Sequence, residues 1–100
     1  MPRLDGAWTG TESESGRQQY VTANFRGNTG TLAFEGAISV SAPMLSVDQP
    51  QRGVARFTVE LRGGLRYYSG RWNGQALVGK ISTDPGGASA IGTFELRPPR

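Results

Sequence analysis

The sequence predicts an all-β fold: one closed or nearly closed, eight-stranded antiparallel up-and-down (meander) β-barrel. Three observations carry that prediction. No window keeps apolar residues at i, i+3, i+4 and i+7 without a Gly or Pro cutting it, so no helix period survives. Strict alternation runs through Val54-Ala55-Arg56-Phe57-Thr58-Val59-Glu60-Leu61-Arg62, the pattern of a strand with one buried and one wet face. Residues that fix a bend or tolerate positive φ divide the rest: Ser15-Gly16, Gly27-Asn28, Pro43, Pro50 to Gly53, Gly63-Gly64, Asn73-Gly74 and Pro85-Gly86-Gly87.

Taken in order, the first strand covers 6–12 and sets Trp8 between glycines in Gly6-Ala7-Trp8-Thr9-Gly10. The second, 17–26, alternates Val21, Ala23 and Phe25 inward, and the third, 30–41, carries Leu32 and Phe34. After Pro43 a short fourth strand covers 44–48, and the fifth, 54–62, is the alternating run above. The sixth, 65–72, repeats the glycine–tryptophan device in Gly70-Arg71-Trp72-Asn73-Gly74, with Tyr68 on the same face as Trp72. The seventh, 75–82, points Leu77 and Ile81 inward; the eighth, 89–97, does so with Phe94 and Leu96. One strand per roughly twelve residues, joined by short connections, reads as sequential pairing in a barrel. Closure removes the two long edges that an open meander leaves exposed. Residues 1–100 read as one such domain, with no internal linker.

Composition narrows the chemistry. The 100 residues include no cysteine and no histidine, which removes thiolate nucleophiles, zinc ribbons, iron–sulfur clusters and every Ser-His or Cys-His pair. No metal site, cofactor or catalytic residue is expected. Asp5, Asp48 and Asp84 sit among turn residues, and Glu35 and Glu60 point outward, so no carboxylate pair is apparent. No apolar run approaches the roughly 18–20 residues of a membrane helix, and Met1-Pro2-Arg3-Leu4-Asp5 meets Gly6 before any apolar stretch forms. A cytoplasmic, non-membrane protein is the expectation. The formal charge is +3, and ten of the eleven cations are arginine. They are scattered among acids, so nucleic acid is not the expected partner; the nearest approach to a basic surface is Arg56, Arg62 and Arg71 beside Tyr67 on the outer face.

At Gly6-x-Trp8 the chain resembles the calycins, the superfamily of lipocalins, fatty-acid-binding proteins and avidins. The resemblance implies a lipocalin-like barrel in which Trp8 sits at a closed end and an arginine after the last strand lies across the indole. Arg97, after Thr93-Phe94-Glu95-Leu96, stands at the matching place. Gly6, Trp8 and Arg97 would then form a structural seam, with a cation–π latch of about 0.5–2 kcal/mol. The segment from Tyr68 to Ile81 is similar to a Y/F-x-G strand followed by L-x-G-x-I in small bacterial barrel domains, which occur alone or attached to hydrolases and proteases.

An eight-stranded barrel is just wide enough to be filled by its own side chains or to hold one small ligand. Small inward residues, Ala23, Gly36, Gly70 and Gly79, leave space beside the rings if nothing else enters it. The expected function is therefore non-catalytic binding of a small, mostly apolar molecule at the barrel mouth. Tyr68 and Trp72 would stack on it, Phe25, Phe34 and Phe57 would line it, and Arg66 would orient a polar end. Glu12 and Gln19 join Arg66 as inward polar residues near strand ends. The alternatives are a solid-core interaction or accessory module, a barrel isomerase or cyclase, and a weak single-stranded nucleic-acid binder. The accessory module would dock on a protein partner or a second copy through outward apolar residues such as Tyr20, Val54, Tyr67 and Val78.

Overall fold

Among the described residues, alternating side chains between glycine- and proline-rich joints produce eight strands and no helix: β1 (Gly6–Glu14), β2 (Arg17–Arg26), β3 (Thr29–Glu35), β4 (Val40–Asp48), β5 (Val54–Leu61), β6 (Gly64–Trp72), β7 (Leu77–Ser82) and β8 (Ala90–Arg97). The structure, a computed structural model, describes residues 1–35, 40–61 and 64–99. Every strand pairs antiparallel with the next, and β8 returns to β1, so the sheet is a closed up-and-down barrel. Its architecture is compatible with a calycin-like fold.

Local chemistry explains the joints. Ser15 and Gly16 both have positive φ (53° and 78°), the requirement of a two-residue turn whose twist matches its flanking strands. The hairpin they close pairs Glu14 with Arg17 and runs to Gly6 opposite Phe25. Asn73 folds its side-chain oxygen onto the N–H groups of Gln75 (2.9 Å) and Ala76 (2.8 Å), replacing ladder bonds where β6 turns into β7. Asp84 does the same for Ala88 and Ser89 between β7 and β8, and those bonds hold its carboxyl below the usual carboxylate range.

Pro43 is not a turn. It lies inside β4 opposite Thr31, beside the register shift between Met44 and Ser46 where pairing with β5 begins. A proline is tolerated in a sheet next to such a bulge. The third strand, expected to run to residue 41, is described to Glu35, and residues 40 and 41 belong to β4, which starts at Val40. Gly36 lies outside the described residues, as does Arg62.

Strand parity follows the sequence. The inward apolar positions read from alternation are buried, except Leu61 and Trp72, which pack half-buried against the same core. Val54 departs from the pattern: it belongs to the outer face by parity, opposite Arg71, yet is only 5% exposed. Its N–H donates to the Gln51 carbonyl (3.1 Å), which folds the preceding turn back onto the start of β5.

Candidate functional site

The interior has two chemically distinct ends. At the first, where β1 begins and β6 finishes, Trp8 is fully buried. Its ring meets Phe25 and Trp72 edge-on, with centroids 6.5 and 6.0 Å apart. Such pairs add about 0.5–1.5 kcal/mol beyond the area they bury. The indole N–H donates to the Leu4 carbonyl at 2.7 Å, and the Leu4 side chain is itself buried, so residues preceding β1 cover this end. Asp5 fastens the same segment by accepting the Gly27 N–H at 2.8 Å.

The second end is polar. Glu12, on β1 opposite Gln19 and Phe94, is 2% exposed. The Tyr68 hydroxyl donates to Glu12 Oε1 at 2.6 Å, and Gln19 Nε2 donates to Oε2 at 3.3 Å. Burial pushes the Glu12 pKa above the usual carboxylate value, outweighing the hydrogen bonds from Tyr68 and Gln19 that favour the anion. Burial, and then the neighbouring Glu12, push the Tyr68 phenol up as well. Beside them Arg66 Nε lies 3.4 Å from Glu14 Oε1 without an aligned hydrogen bond, while its Nη1 donates to the Leu65 carbonyl. A carboxyl–phenol pair of this kind can hold and pass a proton. Acid–base work needs a substrate atom within hydrogen-bond reach, and both groups are enclosed by protein. The pair satisfies the core.

Between the ends the rings occupy the barrel. Phe57 stacks on Tyr68 (centroids 4.7 Å, planes 11° apart), and Phe94 meets both, at 5.9 and 5.3 Å. Phe25 meets Phe57 at 5.4 Å, and Phe34 is buried on β3. Gly70 and Gly79 leave no chamber beside them. A Cβ on Gly70 would come within 2.9 Å of both Leu77 Cγ and the Phe94 ring, and at Gly79 the space holds the Ser69 carbonyl. Phe57, one of the residues expected to line a ligand, packs against both Phe25 and Tyr68.

Two further expectations meet a different geometry. Arg66 and Trp72 lie at opposite ends of β6, six residues and about 20 Å apart, so they form no common pocket with Tyr68. Arg97 pairs with Thr9, not Trp8, in the ladder; its side chain is 63% exposed and its guanidinium bonds Glu95 at 3.2 Å. With Phe94 and Leu96 inward, alternation alone turns Arg97 outward, away from the indole. The resemblance-based latch is replaced by the Leu4 carbonyl. Gly6 does open β1, with φ of 114°.

The outer face carries what the interior does not. Arg56, Ser69 and Lys80 stand directly opposite one another across β5, β6 and β7. The adjoining row is Val54, Arg71 and Val78. A shallow depression of about 280 Å³ runs over these rows, and a second, about 590 Å³, lies outside the tryptophan end between residues 1–5 and the 49–53 turn. Lys80 was not singled out from the sequence; its register across Ser69 was the missing signal. The expected apolar docking patch does not assemble. Tyr20 lies on β2, four strands round the barrel from Tyr67, Val54 is buried, and Tyr67 is half-buried. Among the described residues there is no cluster of acids able to hold a metal and no helix long and apolar enough to cross a membrane. Comparison with protein-family models, curated proteins and solved structures finds no match.

Proposed function

We propose that the protein is a non-catalytic, calycin-like barrel whose interior serves folding and whose exterior does the binding: a solid-core interaction module. The observation that carries this reading is the packing around Gly70, where Leu77 and Phe94 take the volume a ligand would need. A ligand chamber in such a barrel must keep aromatic faces free, and here Phe57, Tyr68 and Phe94 spend theirs on each other. The calycin resemblance at Gly6-x-Trp8 fits an architecture kept while its cavity is filled. The small bacterial barrel domains that the segment from Tyr68 to Ile81 resembles occur alone or attached to hydrolases and proteases, and the attached form fits a protein partner.

The experiment is a titration with a fluorescent apolar probe and with medium-chain fatty acids, followed through tryptophan emission. The proposal expects no saturable change in Trp8 or Trp72 emission. A saturable response, abolished by Phe57→Ala in protein that remains folded, would return the function to small-ligand binding in the barrel.

A further inference from the structure

We infer that the outer face of β5, β6 and β7 is the docking surface of the module, and that its partner is an acidic protein segment carrying aliphatic side chains among its carboxylates. This rests on the solid-core reading. The cations converge by register: Arg56 and Lys80 flank the Ser69 hydroxyl in one cross-strand row, and Arg71 stands between Val54 and Val78 in the next. All three cations are exposed, and none closes an ion pair among the described residues.

The acids nearby do not neutralise them. Glu95 bonds Arg97, and Asp84 is occupied by the amides of its own loop. Asp48 stands opposite Arg56 on its β4 side without an ion pair, and Glu95 stands opposite Val78 on β8, which leaves Arg71 and Lys80 with no carboxylate directly opposite them in the ladder. Two guanidiniums and an ammonium around a hydroxyl suit carboxylates, which arginine binds through paired hydrogen bonds. Val78, 38% exposed at the wall of the depression, supplies the apolar contact that an aliphatic neighbour would use.

A nucleic-acid strand fits less well. The cations spread across strands rather than along a track, spanning about 10 Å at the usual inter-strand spacing. Tyr67, two residues before Ser69 on the outer face of β6, is half-buried and does not line the depression, so it offers no platform to a base. A closed barrel also has no free edge for a partner strand, which leaves recognition to these side chains.

The test compares two charge reversals of equal size. Arg71→Glu with Lys80→Glu alters the proposed face; Arg17→Glu with Arg26→Glu makes the same charge change on β2, across the barrel. Binding of a short peptide of alternating glutamate and leucine is measured by calorimetry at low ionic strength, with circular dichroism confirming that each variant is folded. The first pair is expected to weaken binding about tenfold or more, the second less than about twofold. No binding by the wild-type protein, or equal losses in both pairs, overturns the proposal. So does oligothymidylate or inorganic phosphate binding the wild type as tightly as the peptide. Such a failure displaces this face and partner only; the solid-core reading stands or falls separately with the apolar-probe titration.

Discussion

The two ends of the barrel solve the same problem with opposite chemistry. At the tryptophan end Trp8, Phe25, Trp72 and Leu4 close the interior with rings and one aliphatic side chain, and the one indole N–H of Trp8 finds a backbone carbonyl. At the glutamate end a carboxyl group is taken out of water and kept there by Tyr68 and Gln19, with Arg66 and Glu14 outside it. The first arrangement is indifferent to pH and sensitive to volume. The second is conditional on a proton. Truncation should therefore be felt most at one end, and titration at the other.

The largest effect is expected from Trp8→Ala. Removing a fully buried indole leaves a cavity and an unused Leu4 carbonyl, and should cost about 3–5 kcal/mol in urea unfolding. A loss near that of a surface substitution would mean that the tryptophan end is not closed as described.

Gly70→Ala comes next, and it asks whether the middle of the barrel is full. The added methyl meets Leu77 and Phe94 at 2.9 Å, so overpacking should destabilise by about 1–3 kcal/mol. A neutral or stabilising result would indicate free volume beside the rings.

At the other end the handle is pH. The folded state raises the Glu12 pKa, so it holds that proton to higher pH than the unfolded chain does. The linked stability is fully present below the ordinary carboxylate range and is lost as pH rises through the raised value. Asp84, whose pKa is lowered, contributes with the opposite sign: its stabilisation is present above the ordinary carboxylate range and fades as pH falls. The Glu12 effect is therefore isolated as the difference between wild type and Glu12→Gln. Relative to the variant, wild-type melting temperature should decline as pH climbs from the acid side; a rising difference contradicts the assignment.

The smallest effect is expected from Arg97→Ala. Its bond to Glu95 is at the surface, so the cost should stay within about 1 kcal/mol, with Trp8 emission unchanged. A red shift of that emission would restore the latch between Arg97 and the indole.

Much of the fold was legible because strand chemistry is local. The alternation of β5, the Ser15-Gly16 and Asn73-Gly74 turns and the inward set from Trp8 to Leu96 are written within a few residues of one another. Pro43 misled because its tolerance depends on a bulge in the pairing of β4 with β5, a property of two strands. The site was less legible for the same reason. The bond between Glu12 and Tyr68 joins residues 56 positions apart, and Leu4 covers Trp8 through a backbone carbonyl that any residue could supply. The row of Arg56, Ser69 and Lys80 exists only once register is known. Whether inward rings line a chamber or fill it depends on their orientation, which alternation does not encode. Arg97 is the exception: its outward parity is readable from Phe94 and Leu96 alone.

The most direct test of the solid-core claim is xenon binding, because xenon enters apolar cavities that keep water out. Crystals pressurised with xenon, or xenon NMR of the protein in solution, should show no site within the ring cluster of Phe25, Phe57, Tyr68 and Phe94. A saturable xenon site among those four rings would contradict the account and put a ligand-sized space back inside the barrel.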